Sequence, residues 1–205
     1  MNDFDSKAAE WDKNPIHWER SAVIVEEIKK RITFSPDLTA MEYGAGTGIA
    51  SFLLKDDFRS ILMLDNSDEM VRVTLDKIKA SGSKNLAVEK FDLEHQDYRS
   101  AKFDLIFSQM VFHHIADIDA ILKRIGGMLN PGGSIAVADL YNEDGSFHGD
   151  GFTGHNGFNP SDLAKTLSSL GFRDIVYEHC YTVSRKISET ETRNYPLFLI
   201  TAVKK

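Results

Sequence analysis

Seven short apolar, β-branched runs alternate with segments of helical period along this 205-residue chain, the pattern of an α/β protein whose parallel sheet carries helices on both faces. A glycine-rich turn between the first strand and the next helix supports the same class. Hydrophobic residues at 42% and charged residues at 27% suit one globular domain of this length, expected to cover residues 1–205.

The strands are expected at Leu38–Tyr43, Ile61–Asp65, Leu86–Phe91, Phe103–Ser108, Ser134–Leu140, Ile175–Val183 and Leu197–Val203. Helices are expected at Ala22–Arg31, Ile49–Leu54, Asp68–Ala80, Ile118–Leu129 and Ser161–Leu170. Asn66 with Glu69 has capping-box spacing, and Gly82 stops the helix between them. Asn159 before Pro160 fits an N-cap followed by a first-turn proline, with Gly171 closing that helix. Asn130-Pro131-Gly132-Gly133 is a turn that no regular element should cross. Residues 141–158, YNEDGSFHGDGFTGHNGF, have neither period and form a long loop of the kind that is functional or disordered.

A net charge of −7 and a pI near 5.5 argue against nucleic acid or an anionic membrane as partner. Lys29, Lys30 and Arg31 are the one dense cationic run, and they suit a helix C-terminus. The lone Cys180 allows no internal disulfide, and the polar opening Met1-Asn2-Asp3-Phe4-Asp5 lacks a signal-peptide run, so a cytoplasmic protein is expected.

The chemistry is concentrated in Met41-Glu42-Tyr43-Gly44-Ala45-Gly46-Thr47-Gly48, where a strand turns through glycines into a helix. Glycines accept positive φ and close backbone approach, and the helix N-terminus offers free amides. The spacing is G-x-G-x-G, with Ile49 where a dinucleotide fingerprint has its third glycine, which weakens a nicotinamide reading. Asp65, about 20 residues on at the end of the second strand, can accept both ribose hydroxyl protons. Asp92 can accept from an adenine amine while Leu93 covers the ring.

In order, Glu42-x-Gly44-x-Gly46-x-Gly48, Asp65, Asp92-Leu93, Phe103-Asp104-Leu105-Ile106 and Leu129-Asn130-Pro131-Gly132-Gly133 resemble the motifs of class I S-adenosylmethionine-dependent methyltransferases, over roughly Phe4 to the C-terminus. The resemblance implies a Rossmann-like three-layer sandwich with a seven-stranded, mostly parallel sheet whose last strand is antiparallel. It implies S-adenosylmethionine as cofactor and S-adenosylhomocysteine as product. Phe4-Asp5-x-x-Ala8-x-x-Trp11-Asp12 is similar to the N-terminal helix of the ubiquinone/menaquinone C-methyltransferase subgroup, making residues 1–34 a helical lid.

Carried over, the resemblance puts Gly44, Ala45, Gly46 and Gly48 around the methionine part, Asp65 and Asn66 at the ribose, and Asp92 and Leu93 at adenine. Glu42 would meet the amino group through water or directly, Ser108 and Gln109 would give main-chain contacts to the methionyl moiety, and Arg20 would pair with the cofactor carboxylate.

The acceptor is expected to be a small molecule, and the protein a monomer or homodimer. His113, in the pair His113-His114, is the candidate general base, against the alternative that both rings only cap and pack. Asp139 and Tyr141 end the fifth strand beside the crevice, and Tyr141, His148 and His155 are candidate substrate contacts. No metal is expected, because His148, Asp150 and His155 match no familiar ligand spacing. The loop with Phe147, Phe152 and Phe158 is expected to cover the substrate. Trp11 and Trp18 either close over the cofactor or dock against the sheet. A non-catalytic cofactor-binding module is the competing reading from another class.

Overall fold

The computed structural model describes residues 4–205; of the expected lid, Met1, Asn2 and Asp3 lie outside the described residues. A 3-10 turn, Asp5–Lys7, leads into α1 (Ala8–Trp11) and α2 (Pro15–Lys29). Then follow β1 (Ser35–Tyr43), α3 (Ile49–Leu54), β2 (Phe58–Asp65), α4 (Asp68–Ser81), β3 (Leu86–Lys90) and β4 (Phe103–Gln109). The chain closes with α5 (Ile118–Met128), β5 (Leu129–Leu140), α6 (Pro160–Ser169), β6 (Phe172–Lys186) and β7 (Thr192–Lys204).

The seven strands form one sheet in the order β3-β2-β1-β4-β5-β7-β6. All neighbouring pairs are parallel except those of β7, which runs antiparallel to both β5 and β6. The order reverses between β1 and β4, and the carboxyl ends of strands at such a reversal open a crevice between the loops that leave them.

Alternating side chains split the core into two layers. Ala40, Leu105, Phe107, Leu197 and Leu199 pack with Ile24, Ile28 and Leu54 of α2 and α3 on one face. Met41, Ile106, Phe198 and Ile200 pack with Ile121, Leu122 and Ile125 of α5 on the other. Central strands buried on both faces explain the near-continuous apolar runs.

Several boundaries differ from the sequence expectation for local reasons. Helix α2 begins at Pro15, well before Ala22, because the Asn14 side chain accepts from the Ile16 amide and Pro15 supplies the first-turn proline. Ser67, not Asn66, caps α4, with its hydroxyl accepting from the Met70 amide at 3.2 Å. The segment Asn130–Gly133, expected to break all regular structure, lies inside β5: Leu129 pairs with Phe103 and Ser134 with Leu105, so the extra residues form a bulge, with Gly132 at φ 76°. Strands β6 and β7 run beyond the expected Ile175–Val183 and Leu197–Val203 as a long ribbon. No helix among the described residues is long and apolar enough to cross a membrane.

Candidate functional site

The turn leaving β1 is held by its backbone. The Gly44 and Ala45 amides both donate to the Leu64 carbonyl, at 2.8 and 3.0 Å, tying the turn to β2. Gly44, Gly46 and Gly48 have φ of 66°, 55° and 74°, the left-handed region that favours glycine. Space is equally restrictive at two of them: a Cβ on Gly44 would stand 2.4 Å from a Val111 methyl, and one on Gly48 would stand 2.5 Å from the Met63 sulfur.

Asp65 ends β2 and spans the turn. Its Oδ2 accepts from the Gly46 amide at 2.7 Å and its Oδ1 from the Ser67 amide at 2.9 Å. Burial raises its pKa against these hydrogen bonds. Asp92 accepts from the Glu94 amide at 3.0 Å and lies 2.8 Å from Nδ1 of His95. Leu93 is 1% exposed and belongs to the buried layer containing Tyr43 and Leu64. Ser108 donates to the Tyr43 carbonyl at 2.8 Å, and Gln109 donates to the Ser21 hydroxyl at 2.9 Å, joining β4 to α2. Beyond Gln109, Met110 has φ 58°, a left-handed conformation uncommon for a non-glycine residue and found here where β4 enters the crevice. Nothing in the sequence marked Met110 or Val111.

The N-terminal segment closes over the turn through two acids. Asp5 accepts from the Ser67 hydroxyl at 2.6 Å, and Asp12 accepts from the Thr47 hydroxyl and pairs with Lys77, both at 2.5 Å. Trp18 donates to the Asp12 carbonyl at 3.1 Å, and the Trp11 ring lies 4.1 Å from His17.

Glu42 is 1% exposed. Its Oε2 accepts from the Ser51 amide at 3.2 Å and hydroxyl at 2.6 Å, while Oε1 is buried without a partner. Burial pushes its pKa up to about 7. The folded protein thus keeps a proton that the unfolded chain releases near pH 4.5, and the stability this contributes is lost as the pH rises toward about 7. We expect Glu42→Gln to be about 3 kcal/mol more stable relative to wild type above that interval than below it. Urea midpoints of the two proteins across this pH range check it; parallel curves would contradict the assignment.

Across the crevice, His113 is 1% exposed and Asp139 fully buried. Nδ1 of His113 lies 2.6 Å from Oδ1 of Asp139, and the His113 amide donates to Oδ2 at 3.3 Å. Facing that carboxylate, Nδ1 is the donating nitrogen, so in the neutral ring the lone pair is on Nε2. His114 and His148 join it, the three ring centroids lying 4.2, 5.0 and 5.1 Å apart, with His148 stacked on Phe152 at 3.8 Å. Burial pushes His114 down to about 3 and His148 to about 4, leaving both neutral at neutral pH.

The loop 141–158 is anchored at several points. The Asn142 and Glu143 amides donate to the Phe158 and Asn156 carbonyls, and the His155 amide donates to the His113 carbonyl at 2.7 Å. His155, expected to meet substrate, instead has Nε2 against the Ile115 carbonyl at 2.9 Å and fastens the loop to the histidine turn. Tyr141 packs its ring 5.4 Å from Phe198 and bridges to Phe158. His148 does reach the crevice wall. The grouping is therefore His113, His114 and His148 rather than His148, Asp150 and His155.

Arg20 extends from α2 toward the same end of the sheet, where Asp139 and Tyr181 act on its charge. Its guanidinium is buried, which lowers its pKa, and its Nε has no partner. Among the described residues, the buried side-chain polar atoms without a partner are Arg20 Nε, Glu42 Oε1 and His148 Nε2; Glu42 is next to the last residue of β1, Asp139 at the end of β5 acts on the Arg20 charge, and the His148 ring lies 5.0 Å from that of His113. Native interiors rarely leave such atoms unsatisfied, so this clustering points to groups that a ligand completes.

Residues 41–137 match the family described as a methyltransferase domain. An uncharacterized methyltransferase of Schizosaccharomyces pombe is 26% identical over 142 residues, covering 62% of this chain and 50% of the relative, so the match spans half of that protein's length. A crystal structure of an S-adenosylmethionine-dependent methyltransferase from Aquifex aeolicus superposes with a TM-score of 0.71 at 19% identity, over 98% of each chain. Haemonchus contortus phosphoethanolamine N-methyltransferase 2, solved with S-adenosyl-L-methionine, superposes with a TM-score of 0.73 at 17% identity, over 91% of this chain and 52% of its own. These structural likenesses give the Rossmann-like fold, with the antiparallel strand where the sequence resemblance put it.

Proposed function

We propose, from a methyltransferase domain at residues 41–137 whose cofactor is S-adenosylmethionine, that this chain transfers a methyl group to a small-molecule acceptor. The observation that carries the reading is the set of unsatisfied buried atoms around the crevice. Glu42 and Arg20 present a carboxyl and a guanidinium without full partners, matching the ammonium and carboxylate of a methionyl group. Asp65, with Asn66 beside it, takes the ribose, and Asp92 with Leu93 the adenine side. Gly44, Ala45, Gly46 and Gly48 admit the methionyl chain, and Ser108 and Gln109 line its far side.

When bound, S-adenosylmethionine supplies an electrophilic methyl group on a sulfonium. The protein's part is to align the acceptor and keep water out, since dispersing charge in an in-line displacement needs a dry, preorganised site. Residues 4–34, similar at their start to the ubiquinone/menaquinone C-methyltransferases, serve as lid, and residues 141–158 wall the acceptor side. His113 stands at the acceptor with Nε2 as proton acceptor, because Asp139 holds the proton on Nδ1. Tyr141 and His148 contact the acceptor, while His155 holds the wall in place. A small acceptor fits the acidic surface, and the phosphoethanolamine enzyme among the structural relatives acts on one. A cytoplasmic monomer or homodimer suits the lone buried cysteine and the charge of −7.

The test is release of S-adenosylhomocysteine from S-adenosylmethionine across a panel of small hydroxyl, amine, thiol and carbon acceptors. Acceptor-dependent release is the expected result. Tight cofactor binding without release for any acceptor would favour a binding module.

A further inference from the structure

We infer that His113, His114 and His148 form a binding site for a divalent metal ion of the zinc class on the acceptor side of the crevice. One ring nitrogen from each lies within 4.8 Å of the other two. Three imidazoles converging from two separate segments, the turn after β4 and the loop after β5, are a facial set of borderline-soft ligands that suits Zn²⁺, Co²⁺ or Ni²⁺.

The support around the rings is that of a metal site. Metal-bound histidines usually donate their second nitrogen to a carboxylate, which fixes tautomer and orientation. His113 has that arrangement with the fully buried Asp139, at 2.6 Å. His148 is steadied by stacking on Phe152 at 3.8 Å, yet its Nε2 is buried with no partner. Plain packing of three rings leaves that nitrogen unexplained; in the tautomer that places the lone pair there, a metal ion would complete it.

Nitrogens around a tetrahedral ion with bonds of about 2.0–2.1 Å stand about 3.4 Å apart, so from a spacing within 4.8 Å binding draws the nitrogens together by up to about 1.4 Å. His114 and His148 are only partly buried and can make that adjustment by side-chain rotation. Three protein ligands leave a fourth position open, as in catalytic rather than structural zinc sites. The ammonium of Lys7 and the guanidinium of Arg185 act on the cluster. Beside them the open position favours an anionic or ionisable group, such as an alkoxide, thiolate or carboxylate. The inference rests on the crevice being the acceptor site: Nε2 of His113 accepts a proton only in the ion-free protein, and with an ion bound that nitrogen is a ligand and the acceptor's heteroatom takes the open position.

The test uses the full chain, stripped with a chelator and without S-adenosylmethionine. It is titrated with Zn²⁺ by calorimetry and with Co²⁺ by visible absorption. Expected are saturation at one ion per chain and the intense absorption of tetrahedral Co²⁺. His114→Ala and His148→Ala should each weaken uptake at least about tenfold, and Asp139→Asn by about 10- to 100-fold. Absence of saturable uptake overturns the inference, as does uptake unchanged in both histidine variants or a weak octahedral cobalt spectrum. The wild-type spectrum needs no variant, so misfolding of a mutant leaves the test decisive. Ion uptake can fail while cofactor binding and methyl transfer persist, and the reverse, so the two readings are judged separately.

Discussion

Replacing His113 by glutamine lowers turnover by about 10²- to 10⁴-fold for an acceptor that must lose a proton, with affinity for S-adenosylmethionine within about twofold of wild type. The ring is 1% exposed and Nδ1 is committed to Asp139 at 2.6 Å, leaving Nε2 as its one reactive position. Glutamine keeps a polar group able to meet the carboxylate, so the buried Asp139 is not abandoned, but its amide cannot take up a proton near neutral pH. The cofactor's proposed contacts lie across the crevice at the glycine turn, which explains the separation of the two effects. Single-turnover rates and calorimetric affinities on the same preparations check this. Unchanged turnover, or loss of affinity equal to the loss of rate, contradicts the role.

The second large effect belongs to Gly44→Ala. A left-handed φ of 66° disfavours any L side chain, and the new methyl would stand 2.4 Å from one Val111 methyl and 2.7 Å from the other. The left-handed backbone costs about 1–2 kcal/mol and overpacking about 1–3 kcal/mol, so destabilisation of about 2–5 kcal/mol is expected, together with loss of S-adenosylmethionine binding by more than about tenfold. Val111→Ala in the same chain removes the two closest contacts but leaves the Val111 Cβ at 3.1 Å and the φ penalty, so the double variant should recover part of the stability. A melting temperature for Gly44→Ala equal to that of wild type contradicts the tight approach of Val111 to the turn.

The contrast between these residues shows what a linear sequence carries. Gly44, Gly46, Gly48 and Asp65 were legible because strand, turn, helix and a second strand-end acid recur at fixed offsets along the chain. The buried strands were legible as well, since near-continuous apolar runs such as Leu105-Ile106-Phe107, packed on both faces, each belong to one element. Val111 against Gly44, and Asp139 against His113 across 26 positions, are pairings made by neighbouring strand ends, which no local pattern encodes. His148 joins His113 and His114 only because the loop 141–158 folds back onto them, through the His155 amide bound to the His113 carbonyl. The loop's lack of helical or alternating period concealed this order, which comes from cross-loop backbone bonds and glycines. A Cβ on Gly154 would lie 2.2 Å from the His113 carbonyl oxygen, so the glycine is needed for that contact.

Boundary errors have equally local origins. Asn14-Pro15 carries the same start signal as Asn159-Pro160, but the polar and aromatic residues of the first turns of α2 blur its apolar period until Ala22. Asn66 and Ser67 can both cap, and the choice of Ser67 is tied to Asp65 and Asp5, which hold its amide and hydroxyl. Asn130–Gly133 was expected to interrupt the sheet, but a bulge keeps Leu129 paired. In each case a tertiary contact chose between two locally acceptable conformations.

The most direct test of the central claim is a crystal structure of the full chain grown with S-adenosylhomocysteine. Expected are the homocysteine moiety between the glycine turn and Arg20, the ribose on Asp65, and the sulfur facing the His113 side of the crevice. Density for the compound elsewhere, or an empty crevice at saturating concentration with the Glu42, Arg20 and His148 atoms still unpartnered, would contradict it.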